Sequence, residues 1–284
     1  MALNSIAIKQ IIGAWAFDSS EKIQWMVSQC ENLQITQDGE TTEKQDANGS
    51  TIFSIDRNKS CTISFDSSVL DLSLIAALNG TERIDAGTGT GEAIKVPYIE
   101  RITLSDDDIT AGYVTLTKNA EASAPNVYPI SFHTLTTDGS LLENYAQAAS
   151  GNSADATHFA YNSSNKRITL PVDNGTQVLS AGDKIEVIYE YSVTAGVKVV
   201  NAADKFPDAA KVRFLVLAVD LCDQTKVRAL WITAKNAKPQ TGNTISFNLE
   251  DTISVTLNLA YSYCDSDKGF YEISVADEDF TWAN

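Results

Sequence analysis

The chain has 284 residues, 43% of them hydrophobic and 20% charged, with 21 basic residues against 37 acidic ones for a formal net charge of −16. That length buries a sizeable core in one large or two smaller domains, and the composition excludes a disordered or collagen-like chain. The acidic balance argues against tight phosphate binding, whose affinity comes from lysine and arginine displacing counterions.

From the N-terminus, Lys9 and the apolar run Ile11–Phe17 imitate a secretory leader with Ala14-Trp15-Ala16 as its cleavage site, yet residues 1–5 carry no basic side chain, so the run is read as part of the fold. No apolar stretch approaches the roughly 20 residues of a spanning helix, and no membrane insertion is expected. Cys30, Cys61, Cys222 and Cys264 stand far apart with no Cys-x-x-Cys pair, a pattern of buried thiols rather than a zinc ribbon or redox motif.

Leu33–Thr36 and Thr51–Ile55 read as two short strands. The polar residues between them, Gln37–Ser50 with Asp38, Glu40, Glu43, Lys44 and Asp46, read as a loop longer than hairpin closure requires, hence a candidate for binding. Over 67–79 the period becomes helical, with Ser68-x-x-Asp71 as a capping box and Asn79-Gly80 as the stop. This is the one helix the sequence predicts. Glycines at 87, 89 and 91 make a connector that lacks the Gly-Lys-Ser/Thr of a phosphate cradle.

From 105 to 195 short β runs alternate with polar turns: Tyr113–Leu116, Tyr128–Phe132, Arg167–Leu170 and Lys184–Tyr191. They predict a small immunoglobulin-like β-sandwich, within which Leu141–Ala149 has helical spacing. Past Gly196, residues 212–219 are apolar on both faces, as in a central strand. Ile245–Glu250 and Ile253–Leu259 alternate cleanly, with one apolar face and one small, polar or acidic face. A last strand, Phe270–Val275, precedes Asp277, Glu278 and Asp279.

Candidate chemistry is thin. The only histidines are His133 and His158; no Gly-x-Ser-x-Gly elbow and no Glu-x-x-His accompanies them, which leaves neither a hydrolase triad nor a catalytic metal site. Asp265–Gly269 opens like a calcium loop, but its twelfth position is Ala276 instead of glutamate. Asp106-Asp107-Asp108 reads as a solvated turn. No catalytic residue, cofactor or metal is assigned, and the chain is expected not to be an enzyme.

Gln34-Ile35-Thr36-Gln37-Asp38, Ser54-Ile55-Asp56-Arg57-Asn58-Lys59-Ser60 and the strand and helix from Thr62 to Gly80, together with the C-terminal strands, resemble major tail tube proteins of tailed bacteriophages. The resemblance covers residues 1–104 and 196–284; 105–195 depart from it and read as an inserted domain. It implies a mainly β fold, a sandwich or half-barrel with one flanking helix plus the inserted sandwich. It further implies hexameric rings of this chain stacked into a tube in the virion tail, made in the host cytoplasm, contacting other tail proteins and passing DNA only as cargo. The 37–50 loop then becomes the ring-stacking loop, and Glu250 and Asp251 become lumen-facing carboxylates. The rival readings are a capsid decoration or baseplate protein and a carbohydrate-binding adhesin or glycan hydrolase.

Overall fold

The computed structural model describes residues 5–87, 93–122, 128–149, 153–221, 223–242, 244–245, 252–261 and 268–281. Cys222, Cys264, Glu250, Asp251, most of the strand read at Ile245–Glu250 and the start of the Asp265 loop lie outside them.

In chain order the strands begin with β1 (Ile6–Phe17), β2 (Ile23–Val27), β3 (Cys30–Gln45) and β4 (Thr51–Ser67), followed by helix α1 (Leu72–Leu78) and β5 (Ile84–Asp85). Next come β6 (Ile94–Thr103), helix α2 (Asp106–Ala111), β7 (Tyr113–Thr115), β8 (Ser131–Leu135), β9 (Leu141–Gln147), β10 (His158–Asn162) and β11 (Arg167–Thr169). The remainder are β12 (Val172–Asp173), β13 (Thr176–Gln177), β14 (Lys184–Val193), β15 (Val197–Lys198), β16 (Ala210–Asp220), β17 (Val227–Pro239), β18 (Ile253–Leu259) and β19 (Glu272–Val275). The fold is mainly β, as the sequence predicts.

The chain forms two compact units, residues 1–84 with 199–284, and residues 85–198. In the first, a curled half-barrel sheet runs β2-β1-β16-β17-β18-β4-β3, with β19 beside the first half of β17. Strand β16 has β1 on one side and β17 on the other, so its apolar residues on both faces belong to an interior strand. Alternation turns Ala14, Trp25, Ile63, Phe65, Phe214, Ile232, Val255 and Leu257 onto one face, where they close the core. Phe65 stands edge-on to Phe214 with centroids 5.4 Å apart.

Helix α1 adds Leu74 and Leu78 to that core. Its N-cap is Asp71, whose carboxylate accepts from the backbone N–H of Ser73 and Leu74, so the helix starts later than the Ser68 box implied. The predicted stop is in place: Asn79 is the C-cap and Gly80 follows in the left-handed region at φ 67°. A Cβ at Gly80 would stand 2.1 Å from the Phe206 carbonyl oxygen, so only glycine fits there.

The second unit's sheet runs β6-β14-β8-β9-β10-β11-β7, two antiparallel halves joined by the parallel pair β9–β10. Both halves supply one core, in which Phe132 lies between Tyr145 and Phe159. Strand β6 pairs with β14 over its whole length, which places residues 94–103 here and not with the first unit, where the sequence reading had put them. Leu141–Gln147 is strand β9, paired with β8, rather than helix. Asp106–Asp108, read from sequence as a solvated turn, form the first turn of helix α2: Ser105 and Asp108 bond each other's backbone N–H, and Gly112 closes the helix at φ 73°.

Candidate assembly surfaces

The long polar loop of the sequence reading is strand. Asp38, Glu40, Glu43 and Lys44 lie in β3, and only Asp46 falls in the turn. Strands β3 and β4 stay paired from Cys30 and Ser67 out to Gln45 and Thr51. Asp46 closes the tip, its carboxylate accepting from the backbone N–H of Asn48 and Ser50 while its own N–H bonds the Ser50 carbonyl at 2.8 Å. Core contact ends near Cys61, and residues 36–45 and 51–60 are exposed on both faces. At about 3.4 Å per residue, the ribbon from Asp38 to Gln45 reaches roughly 25 Å past the sheet that anchors it. We call it the arm.

A bulge marks where the arm leaves the sheet. Asp38 pairs with Ser60 and Glu40 with Arg57, so Gly39 faces two residues, Asn58 and Lys59. Asn58 takes the left-handed conformation at φ 52° and donates from its side chain to the Glu40 carboxylate at 2.9 Å. Beyond the bulge the register gives the arm two chemically different faces. One carries Glu40, Thr42 and Lys44 opposite Arg57, Ile55 and Phe53. The other carries Thr41, Glu43, Ser54 and Asp56, with no basic group, and alternation from Phe53 adds Ile52, the residue left over at a second register shift between Lys44 and Gln45; Thr41 bonds Asp56 at 2.8 Å and Thr51 bonds Glu43 at 3.1 Å. Ile52, Phe53 and Ile55 are 63%, 47% and 42% exposed. Apolar groups so placed are those a binding partner would cover.

The half-barrel's outer face divides into two zones. Across β3, β4 and β18 it is a ladder of short uncharged side chains: Thr36 pairs with Thr62 and Gln34 with Ser64, and these face Asn258 and Thr256 of β18. Ser254 and Asn32 both donate to Asp66 at one end of the ladder. Across β1, β16 and β17 the outer face is aromatic and basic, with Trp15, Phe17, Lys211, Arg213, Trp231 and Lys235.

The histidines sit in structural pairings. His133 Nε2 lies 3.0 Å from Glu186, which also bonds Arg101 at 2.5 Å. His158 Nδ1 lies 2.8 Å from Asp155, whose carboxyl is held down to about 2, first by the Thr157 backbone N–H and then by the imidazole. Among the described residues no three His, Cys, Asp or Glu side chains gather as a metal site, and no helix is long and apolar enough to cross a membrane.

Residues 142–271 match the model of the YomU/Tube protein family. No curated protein matches the chain. The YomU/Tube match begins in β9, crosses the rest of the second unit and takes in β16, β17 and β18 of the first. It therefore includes residues 142–195, which the sequence reading set apart from its tail-tube resemblance, and it stops short of the arm. Sequence reasoning missed the arm as an element because nothing on it is buried. It also missed the basic-aromatic zone, whose residues come together only through the pairing of β1, β16 and β17.

Proposed function

We propose that the chain is a virion structural protein that assembles with copies of itself into a tube. The observation that carries this reading is the YomU/Tube match, which supports a phage tube-related role; the arm and the uncharged zone give that role a physical form. A ribbon exposed on both faces, with Ile52, Phe53 and Ile55 uncovered, gains stability only from a partner, and a neighbouring copy in an ordered array supplies one. In this reading the rings are hexameric, the arms bridge successive rings, and the hydroxyl ladder of β3, β4 and β18 lines the lumen. Such a wall offers DNA neither the cations that would hold its phosphates nor apolar groups that would grip its bases. Glu250 and Asp251 remain proposed as lumen carboxylates. The role is structural, with no cofactor and no reaction, and other tail proteins are its further partners.

Electron microscopy of the concentrated protein tests this. Sixfold rings or hollow tubes are expected. A protein that stays monomeric or trimeric at every concentration sinks the reading in favour of a decoration or baseplate role.

A further inference from the structure

A trough of about 600 Å³ opens on the basic-aromatic zone, lined by Lys211, Arg213, Trp231, Thr233, Lys235, Glu272 and Ser274. Among the described lining residues three cations stand with one carboxylate, and even with Glu21 at Lys211 the basic groups outnumber the acidic ones, in a chain whose net charge is −16. At the rim, Lys211 bonds Glu21 at 2.6 Å and holds that carboxyl below its ordinary range. The Arg213 guanidinium stands 5.3 Å from the Phe17 ring centroid, and Trp231 stands 6.0 Å from Trp15. The trough lies along β17 where its edge passes from β19, paired with Leu230–Thr233, to β18, paired with Ala237–Pro239. Its floor thus joins an indole to the hydroxyls of Thr233 and Ser274, with positive charge at its sides.

The occupant this surface suits is an extended segment that brings carboxylates and an aliphatic group on one face. The face of the arm that has no basic group has that composition: Glu43, Asp56 and the exposed Ile52, with same-face residues recurring every ~7 Å along each strand. We propose that the trough receives the acidic face of the arm from a second copy of this chain. The inference rests on the self-assembly reading and names the surface the arm docks on. Charge complementarity steers the encounter and selects that face over the mixed one, where Lys44 and Arg57 would meet the trough's cations. Trp231 and Ile52 then cover each other's apolar surface.

Reciprocal charge reversal tests the docking on the full chain. Arg213→Glu with Lys235→Glu reverses the trough; Glu43→Lys with Asp56→Lys reverses the arm. Thermal melts establish that each variant is folded, and sedimentation velocity at low and high salt reads association. Each reversal alone should weaken self-association roughly tenfold or more. The chain carrying both reversals should recover it, and wild-type association should weaken with salt. Association that survives trough reversal, or that the double reversal fails to restore, overturns the docking while leaving assembly itself intact. Trough reversal that abolishes retention of a short DNA duplex yet leaves association unchanged overturns it in favour of a polyanion. Wild-type protein that never associates overturns the docking and the tube reading together.

Discussion

Glu186, the partner of His133, shows how one of the two histidines is held in a structural pairing. The Arg101 guanidinium, and after it the His133 ring, hold its carboxyl below the ordinary carboxylate range. A group depressed in the folded state stabilises it above the unfolded value of about 4.3, and that contribution is lost as pH falls through the lower folded value. Arg101→Gln should therefore lower the melting temperature at pH 7 by on the order of 2 °C, since the Arg101 side chain is largely solvated. The gap between variant and wild type should close as the pH falls below that unfolded value. Melts across that range check this, and a gap that widens in acid would contradict it. The two described thiols are buried as the sequence predicts: burial pushes Cys30 up to about 12 and raises Cys61.

At the scale of elements the arm gives the proposed tube role its physical form, and its pairing decides which variant tests it. Deleting Gln37–Ser50 would strip one strand and leave β4 unpaired, confounding loss of contact with exposed edge. Shortening both strands, by replacing residues 40–57 with a two-residue Asn-Gly turn, removes the arm and keeps the sheet. That variant should melt within a few degrees of wild type and fail to stack, as measured by electron microscopy. Tubes of normal length from it would refute the bridging role.

The same element explains what the sequence left illegible. Hydrophobic alternation signals a strand because one face is buried; a ribbon solvated on both faces buries nothing, so Asp38–Gln45 has no such period. Thr41-Thr42 and the Asp46–Gly49 turn chemistry were the signals available. Helix α2 was readable from Ser105-x-x-Asp108 and Gly112, but three consecutive aspartates drew attention to charge instead of capping. By contrast β16 and β18 were plain from sequence, since burial on two faces and on one face gives opposite and recognisable textures. The trough could not be read, because it depends on the register between strands distant in sequence.

For the whole molecule the division into two units is itself testable. The chain enters and leaves the second unit through β5 and β15, which pair with each other, and Ala86 N–H bonds the Gly196 carbonyl at 2.9 Å. Among the described residues, the core of the first unit draws only on those before 84 and after 199. Replacing residues 86–196 with a short Gly-Ser bridge should leave a protein with β-rich circular dichroism and one cooperative melt. A non-cooperative melt would mean that the first unit cannot fold alone.

The bulge at Gly39 and Asn58 has a consequence of its own. Because the arm has no core, burial does not fix its register past that point; the count of residues at the bulge sets which side chains share a face as far as the second irregular step, between Lys44 and Gln45. In the proposed docking, one residue more or fewer on a strand there would turn Lys44 or Arg57 toward the neighbouring copy in place of Glu43 or Asp56. A single irregular step in the ladder thus acts as a polarity selector, writing the sign of a contact surface some distance from where the chain bends.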